Sequence, residues 1–169
     1  MHGHFDLPTP RDADACSVED HLKKVPPGPE DAVEALRALC EIDQDARPLA
    51  ATATNERSMR HDLRGANLRK ADLSGLDLCS CDLRKAYLEG VFLKDADLRR
   101  ADLWEARLEG ANLTARCKLA YADLRNAHLQ ETDLPSAIFD RAVLGGAELD
   151  FAVLSGSDLT NTIGVGSCR

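Results

Sequence analysis

A leucine recurs at every fifth position over residues 61–161, and this period constrains the fold more than any other feature of the chain. On an α-helix, five residues rotate by about 140 degrees, so successive leucines would not share a face. On a β-strand, an odd spacing sends successive leucines to opposite faces. The leucines can all point inward only if the chain turns once every five residues. Four such units then close one square coil, and stacked coils form a solenoid.

Twenty units of this kind fit the sequence, 11 before a one-residue slip and 9 after it. The first central residue is Leu63, and Phe139 replaces leucine in one unit. The slip falls between Leu113 and Leu119, which predicts one extra residue near Arg116 as a bulge at a corner. Two residues before each central position the side chain is small, usually alanine, so that it fits inside the coil beside the leucine.

The residue between the small residue and the leucine is mostly Asp or Asn, as in the units ADLRR, ADLWE and ANLTA. This pattern resembles the pentapeptide-repeat family, whose consensus is A(D/N)LXX, over about 100 of the 169 residues. The resemblance implies an all-β solenoid, namely a right-handed quadrilateral parallel β-helix of about five coils. At ~4.8 Å per coil such a rod would be roughly 24 Å long.

The segments outside the repeats predict a small N-terminal α-helical cap and two short ends. We expect a disordered arm over 1–16, a two-helix cap over 17–48, a connector over 49–60, the β-helix over 61–161 and a short tail over 162–169. The second helix of the cap would carry an apolar stripe, which suits the open first coil of a solenoid. Docking of this stripe on a partner is the alternative. The stripe consists of Val33, Leu36, Leu39, Cys40 and Ile42.

Composition and charge argue against several classes of protein. The net charge is −8, and residues 61–161 hold 17 acidic and 13 basic side chains, which argues against direct nucleic-acid binding. No apolar run is long enough for a membrane span, and the first residues lack the features of a signal peptide. Six cysteines without a framework spacing suggest reduced thiols. We therefore expect a cytoplasmic protein without a membrane association.

Every fourth unit shares a face, and this places carboxylates in rows. The first face would carry Asp62, Asp82, Asp102 and Asp123, spaced about 5 Å apart, and the fourth face Asp77 and Asp97. These rows have two interpretations. They could imitate the phosphates of a nucleic acid, which carries roughly one charge per 1.7 Å of duplex. Alternatively, their oxygens could bind local backbone N–H groups in turns, with neighbouring arginines partly neutralising them.

The last coil carries apolar residues in outward positions that hold Asp or Asn upstream. These residues are Ile138, Val143, Phe151 and Val153. An exposed apolar cluster at a solenoid end predicts that the end is covered. We expect a homodimer through this coil or a protein partner, unless the tail folds back over it.

No nucleophile–base pair, phosphate loop or metal motif occurs in the sequence, which predicts a non-enzyme without metal or cofactor. His61, Cys81 and Cys117 fall in small inward positions and are expected to be core residues. The resemblance implies a DNA-mimicking modulator of a type II topoisomerase, because quinolone-resistance members of the family bind DNA gyrase by imitating duplex shape and charge. The alternative is a generic interaction scaffold with a partner unrelated to DNA topology.

Overall fold

The computed structural model describes residues 61–168, with the side chain of Ser167 excepted. The predicted arm, two-helix cap and connector of residues 1–60 lie outside the described residues, as does Arg169. Within the described part the one helix is the 3-10 helix Val165–Ser167. All β structure there consists of single-residue parallel bridges, one for each pentapeptide.

The bridges join residues 20 positions apart, or 21 across the slip, and they form four parallel ladders. We call these ladders faces 1 to 4. Face 1 contains residues 62, 82, 102, 123, 143 and 163; face 2 contains 67, 87, 107, 128 and 148; face 3 contains 72, 92, 112, 133 and 153; face 4 contains 77, 97, 118, 138 and 158. The expected four-sided coil of four pentapeptides is therefore confirmed for this part of the chain.

The interior of the rod is filled by the two inward columns of each face. The amide of Leu63 donates to the carbonyl of Asp82, and the amide of Asp82 donates to the carbonyl of His61, both at 2.8 Å. This pairing holds adjacent coils in register and turns the leucine and the small residue of each unit inward. Leu63 and Leu103 are 0% exposed, and Phe139, which replaces a leucine, is also 0% exposed. His61, Cys81 and Cys117 are buried in the same columns, as the sequence predicted.

Each unit ends in a tight turn, and a backbone hydrogen bond closes this turn. In the first turn the amide of Ala66 donates to the carbonyl of Leu63 at 3.1 Å. The residue before the closing amide has a positive φ, 66° at Gly65 and 57° at Lys70. Positive φ is strained for residues other than glycine, yet 15 such residues adopt it here. The hydrogen bonds of the coils above and below fix this conformation.

The extra residue of the slip lies in a turn, as predicted. Ala115 and Arg116 both have positive φ, 59° and 65°, so this turn is one residue longer than the others. The ladder resumes at once, because the amide of Lys118 donates to the carbonyl of Ala96 at 3.1 Å. The insertion therefore leaves the four faces in register.

The C-terminal end extends further than the predicted boundary at residue 161. Ile163 pairs with Val143 and adds a further rung to face 1. The chain then forms the 3-10 helix, and Cys168 packs against the core with its Sγ 3.4 Å from the carbonyl oxygen of Leu144. The tail thus covers one side of the end. Leu149, Leu154 and Leu159 in the last coil remain only partly buried.

Candidate functional site

The carboxylates of face 1 stack in consecutive coils, and we call Asp62, Asp82, Asp102 and Asp123 the aspartate ladder. In each, Oδ1 accepts the backbone N–H of the residue two positions on, at 3.1–3.3 Å. Asp72, Asp77, Asp97, Asn112 and Asp158 make the same contact on the other faces. Asp or Asn at this position therefore caps the turn, which is a structural role.

Three arginines pair with this ladder. Arg64 donates from Nε and Nη2 to the two oxygens of Asp62, both at 2.8 Å. Arg84 holds Asp82 in the same way, at 2.8 and 2.5 Å. Arg64 Nε also lies 3.7 Å from Asp82 Oδ2, so one arginine bridges two rungs. Arg125 makes the equivalent pair with Asp123, at 2.8 and 2.6 Å.

The arginines also cover part of the ladder. Asp82 and Asp123 are buried, with 5% and 6% of their surface exposed. Each of them has a bidentate guanidinium lying over it, at Arg84 and Arg125 respectively. The ladder therefore presents less negative charge to a partner than four aspartates would.

Asp102 is the exception, because Trp104 occupies the position that holds arginine in the other three units. The nearest guanidinium to Asp102 is that of Arg84, whose Nε lies 3.8 Å from Asp102 Oδ2. Burial raises the pKa of the Asp102 carboxyl, and the neighbouring charges of Asp123 and Asp82 add to this. The hydrogen bond from the Trp104 amide opposes the shift.

The acidic pair of face 4 is also compensated. Asp97 accepts bonds from Arg99 Nε and Nη2 at 2.8 and 2.7 Å, and Lys118 Nζ lies 3.6 Å away. Burial alone would raise the pKa of the Asp97 carboxyl, but the Arg99 hydrogen bonds and the charges of Arg99 and Lys118 lower it. Asp77 caps its own turn by accepting the Cys79 amide at 3.1 Å.

Face 2 carries an ion-pair network that sequence reasoning missed. Arg107 Nε lies 3.4 Å from Glu89 and 3.5 Å from Glu109. Next to them, His128 Nδ1 lies 3.9 Å from Glu109 Oε1 and 3.3 Å from Glu148 Oε2. Most of these pairs join residues one coil apart. The 20-residue register of the repeats could have revealed this network from the sequence, because it places oppositely charged residues in adjacent coils above one another.

A second feature missed from sequence lies at the corner between faces 4 and 1. Arg100, Tyr121 and Arg141 occupy the same position in three consecutive coils, two residues after the central Leu98, Leu119 and Phe139. The guanidinium carbons of Arg100 and Arg141 lie 5.9 and 5.6 Å from the centroid of the Tyr121 ring. We call these three residues the arginine–tyrosine edge.

The apolar residues of the last coil do not form the single cluster that the sequence predicted. Ile138 lies on face 4, Val143 on face 1 and Val153 on face 3, because successive units turn onto successive faces. Phe151 is 87% exposed and Val153 is 44% exposed, whereas Val143 is only partly exposed beneath Ile163. These four residues therefore form a belt around the end, which we call the apolar belt.

Residues 61–168 hold no candidate metal site and no candidate membrane span. No group of three or more His, Cys, Asp or Glu side chains there could hold a metal ion. None of the helical segments in this range has the length and hydropathy needed to span a membrane.

Comparisons with known proteins agree with the repeat pattern. The family profile for pentapeptide repeats matches in 8 copies, over residues 60–84, 80–114, 115–146 and 122–161. No curated protein matches the chain. HetL, a protein involved in heterocyst differentiation regulation from the cyanobacterium Nostoc sp. strain PCC 7120, is 31% identical, covering 64% of this chain and 60% of its own, with a TM-score of 0.40.

Two other solved structures are similar. Rfr23 from the cyanobacterium Cyanothece 51142 is 36% identical over 58% of this chain and 63% of its own, with a TM-score of 0.30. QnrB1, a plasmid-mediated fluoroquinolone resistance protein, is 23% identical over 64% of this chain and 65% of its own, with a TM-score of 0.40. The chain spans less than two thirds of the length of each of these three proteins. Because the repeat profile matches more than half of the chain and the four parallel ladders coincide with it, the chain belongs to the pentapeptide-repeat family of right-handed β-helix solenoids.

Proposed function

We propose that this chain is a non-catalytic protein-binding rod. The observation that carries the proposal is the filled interior, in which the inward leucine and alanine columns of the middle coils are at most 2% exposed. Such an interior offers no space to a substrate, so recognition falls to the outer surface. There the turns and ladders hold side chains at a fixed spacing of about 4.8 Å, which preorganises a binding surface.

Photo-crosslinking from each face tests this proposal. A photoreactive amino acid is placed at one outward position per face, and crosslinked proteins are identified by mass spectrometry. A binding scaffold should give one stoichiometric product from one face or from one corner between two faces. Crosslinks of equal, low yield from all four faces would contradict it. The positions are Asp62, Arg107, Phe92 and Lys118 on faces 1, 2, 3 and 4 respectively.

The second candidate is a DNA-mimicking modulator of a type II topoisomerase, giving protection against a drug or toxin. The aspartate ladder favours it, because four carboxylates follow one another along the rod at about 4.8 Å. Asp102 would contribute most to the mimicry, since its carboxylate has no arginine in its own unit. The net charge of −8 also fits this role.

The ion pairs of face 1 weigh against mimicry. Three bidentate arginines lie on a ladder of four carboxylates, and the two most buried carboxylates are 5% and 6% exposed. A protein that imitates a phosphate backbone needs uncompensated negative charge on its surface. For this reason we place the scaffold before the topoisomerase modulator.

A DNA gyrase supercoiling assay separates the two candidates. The purified full chain is titrated with and without a fluoroquinolone, beside the double variant Asp82→Asn, Asp102→Asn. Asp158→Asn is the control, because Asp158 caps an equivalent turn on face 4. Mimicry predicts inhibition or drug protection that the ladder variant loses and the control keeps. No effect of the wild type at micromolar concentration would exclude gyrase as the partner.

We also propose that the C-terminal end self-associates into a homodimer. Within residues 61–168 the amides of Leu149, Leu154 and Leu159 donate to no backbone carbonyl, unlike their equivalents in earlier coils. An open β edge beside exposed Phe151 and Val153 favours pairing with another chain.

Sedimentation of the full chain tests the homodimer. The double variant Phe151→Asp, Val153→Asp should be monomeric at concentrations where the wild type is dimeric. Phe92→Asp is the control, because Phe92 is 48% exposed on the same face away from the end. A monomeric wild type, or a control that dissociates equally, would contradict the proposal.

Three expectations from the sequence remain proposals. They are the count of about five coils, the two-helix N-terminal cap over 17–48 and the cytoplasmic location.

A further inference from the structure

In the arginine–tyrosine edge two guanidiniums contact one phenol ring, one from the coil before it and one from the coil after it. Arg100, Tyr121 and Arg141 have φ values of 60°, 61° and 57°, so all three lie at the corresponding point of consecutive turns. Both arginines are exposed, and Tyr121 is 43% exposed. A cation–π contact with an aromatic ring leaves the N–H donors of a guanidinium free to bind a ligand. The edge therefore offers oriented cationic donors to solvent.

These two arginines differ from most cations of the rod in lacking a carboxylate partner. Eight arginine and lysine side chains of the described part lie in ion pairs: Arg64, Arg69, Arg84, Lys85, Arg99, Arg107, Lys118 and Arg125. No ion pair within residues 61–168 involves Arg100 or Arg141. The nearby carboxylate of Asp140 instead accepts a bond from Asn161 at 3.1 Å. The edge is thus a locally uncompensated positive site on an acidic rod.

We infer that the arginine–tyrosine edge binds a short acidic segment of a partner protein. This inference rests on the proposed scaffold function and specifies its binding site. The guanidiniums stand two coils apart, roughly 10 Å, and an extended peptide rises about 3.3 Å per residue. Two carboxylates two or three residues apart in such a peptide match the reach of the two arginines. Tyrosine and arginine are also the residues that most often dominate binding energy at interfaces.

The surroundings of the edge favour a short peptide over a nucleic acid. Asp140 lies at the end of face 4 on one side, and Asp102, which has no arginine in its own unit, lies on face 1 on the other. A long polyanion would meet these carboxylates, whereas a short acidic segment contacts only the edge. The net charge of the chain adds to this long-range repulsion.

Fluorescence anisotropy with a fluorescein-labelled glutamate-rich peptide tests the inference on the full chain. The double variant Arg100→Gln, Arg141→Gln should bind the peptide about tenfold more weakly than the wild type, because charge-assisted bonds to two guanidiniums are lost. The control is Lys70→Gln, Lys94→Gln, which removes the same charge from two exposed lysines that also lie outside the ion pairs of the described part. This control should change the affinity by less than about twofold. Tyr121→Leu should give an intermediate loss, since it removes the ring that orients both arginines.

Several outcomes would overturn the inference. Equal losses in the two double variants would show a general charge effect. Tighter binding of a single-stranded oligonucleotide than of the peptide would make the edge a nucleic-acid site. Absence of peptide binding by the wild type would show that the edge does not bind acidic segments. The photo-crosslinking experiment gives a separate test. If a protein that crosslinks to the wild type also crosslinks to the double variant Arg100→Gln, Arg141→Gln, this site is refuted while the scaffold function stands.

Discussion

Replacing Leu103 by alanine tests whether stacking of the inner leucines is the main source of stability. Leu103 is 0% exposed, and its amide donates to the carbonyl of Asp123 at 2.7 Å. Removal of three buried carbons costs about 2.4 kcal/mol at ~0.8 kcal/mol each. The cavity adds to this, because hydrogen bonds to the coils above and below prevent collapse. We expect Leu103→Ala to lower the free energy of unfolding by about 3 kcal/mol.

Leu159→Ala is the matched control, since it changes the same residue at the partly exposed last coil. Its expected cost is about 1 kcal/mol, because part of the side chain is already in water. Urea unfolding measures the loss of stability in both variants. Circular dichroism and the fluorescence of Trp104, the one tryptophan of the chain, monitor the unfolding. Agreement of the two probes checks that unfolding is cooperative. Equal losses in the two variants, or a loss below about 1 kcal/mol for Leu103→Ala, would refute the stacking argument.

Three further predictions concern charge, burial and the C-terminal end. Arg99→Gln should lower the free energy of unfolding at pH 7 by at most about 1 kcal/mol, since the pair with Asp97 is largely solvent-screened. The pKa of Asp97 is lowered in the fold, so its ionised form stabilises the protein above its ordinary pKa, and the effect of Arg99→Gln should vanish as pH falls through the lowered value. The Cys117 thiol should resist iodoacetamide in the folded protein, because burial raises its pKa to about 12. Gly164→Ala should detach the tail, measured as faster hydrogen exchange of the Cys168 amide, because the new Cβ would lie 2.7 Å from the backbone nitrogen of Gly145.

Each of these predictions has a control. Lys94→Gln removes a charge of the same sign that lies outside the ion pairs of the described part, and its effect should not depend on pH in the acidic range. Cys79 is partly exposed and should react with iodoacetamide where Cys117 does not. Gly75→Ala tests the cost of a positive φ alone, since its φ is +72° and nothing lies within 4 Å of the new Cβ. A tail equally mobile in Gly75→Ala and Gly164→Ala would remove the steric explanation.

The composition of the four faces could be predicted from the sequence because it depends only on a period. A leucine every five residues requires one turn per unit, and counting every fourth unit assigned Asp62, Asp82, Asp102 and Asp123 to one ladder. The slip near Arg116 could be placed for the same reason, since only an extension of the turn keeps the leucine column inside. The same count assigns the residues of the apolar belt to outward positions, but it also distributes them over three faces, so they cannot form the one cluster expected from their proximity in sequence.

Tertiary structure decided which charges remain available on those faces. The sequence indicated that arginines stand near the aspartate ladder, but the burial of Asp82 and Asp123 depends on guanidiniums folding flat onto them. The cation–π contacts of Arg100 and Arg141 with Tyr121 likewise join residues 21 and 20 positions apart. A repeat period determines backbone register and the inside or outside position of each side chain. Rotamers and contacts between coils, which vary from unit to unit, determine the surface that a partner meets.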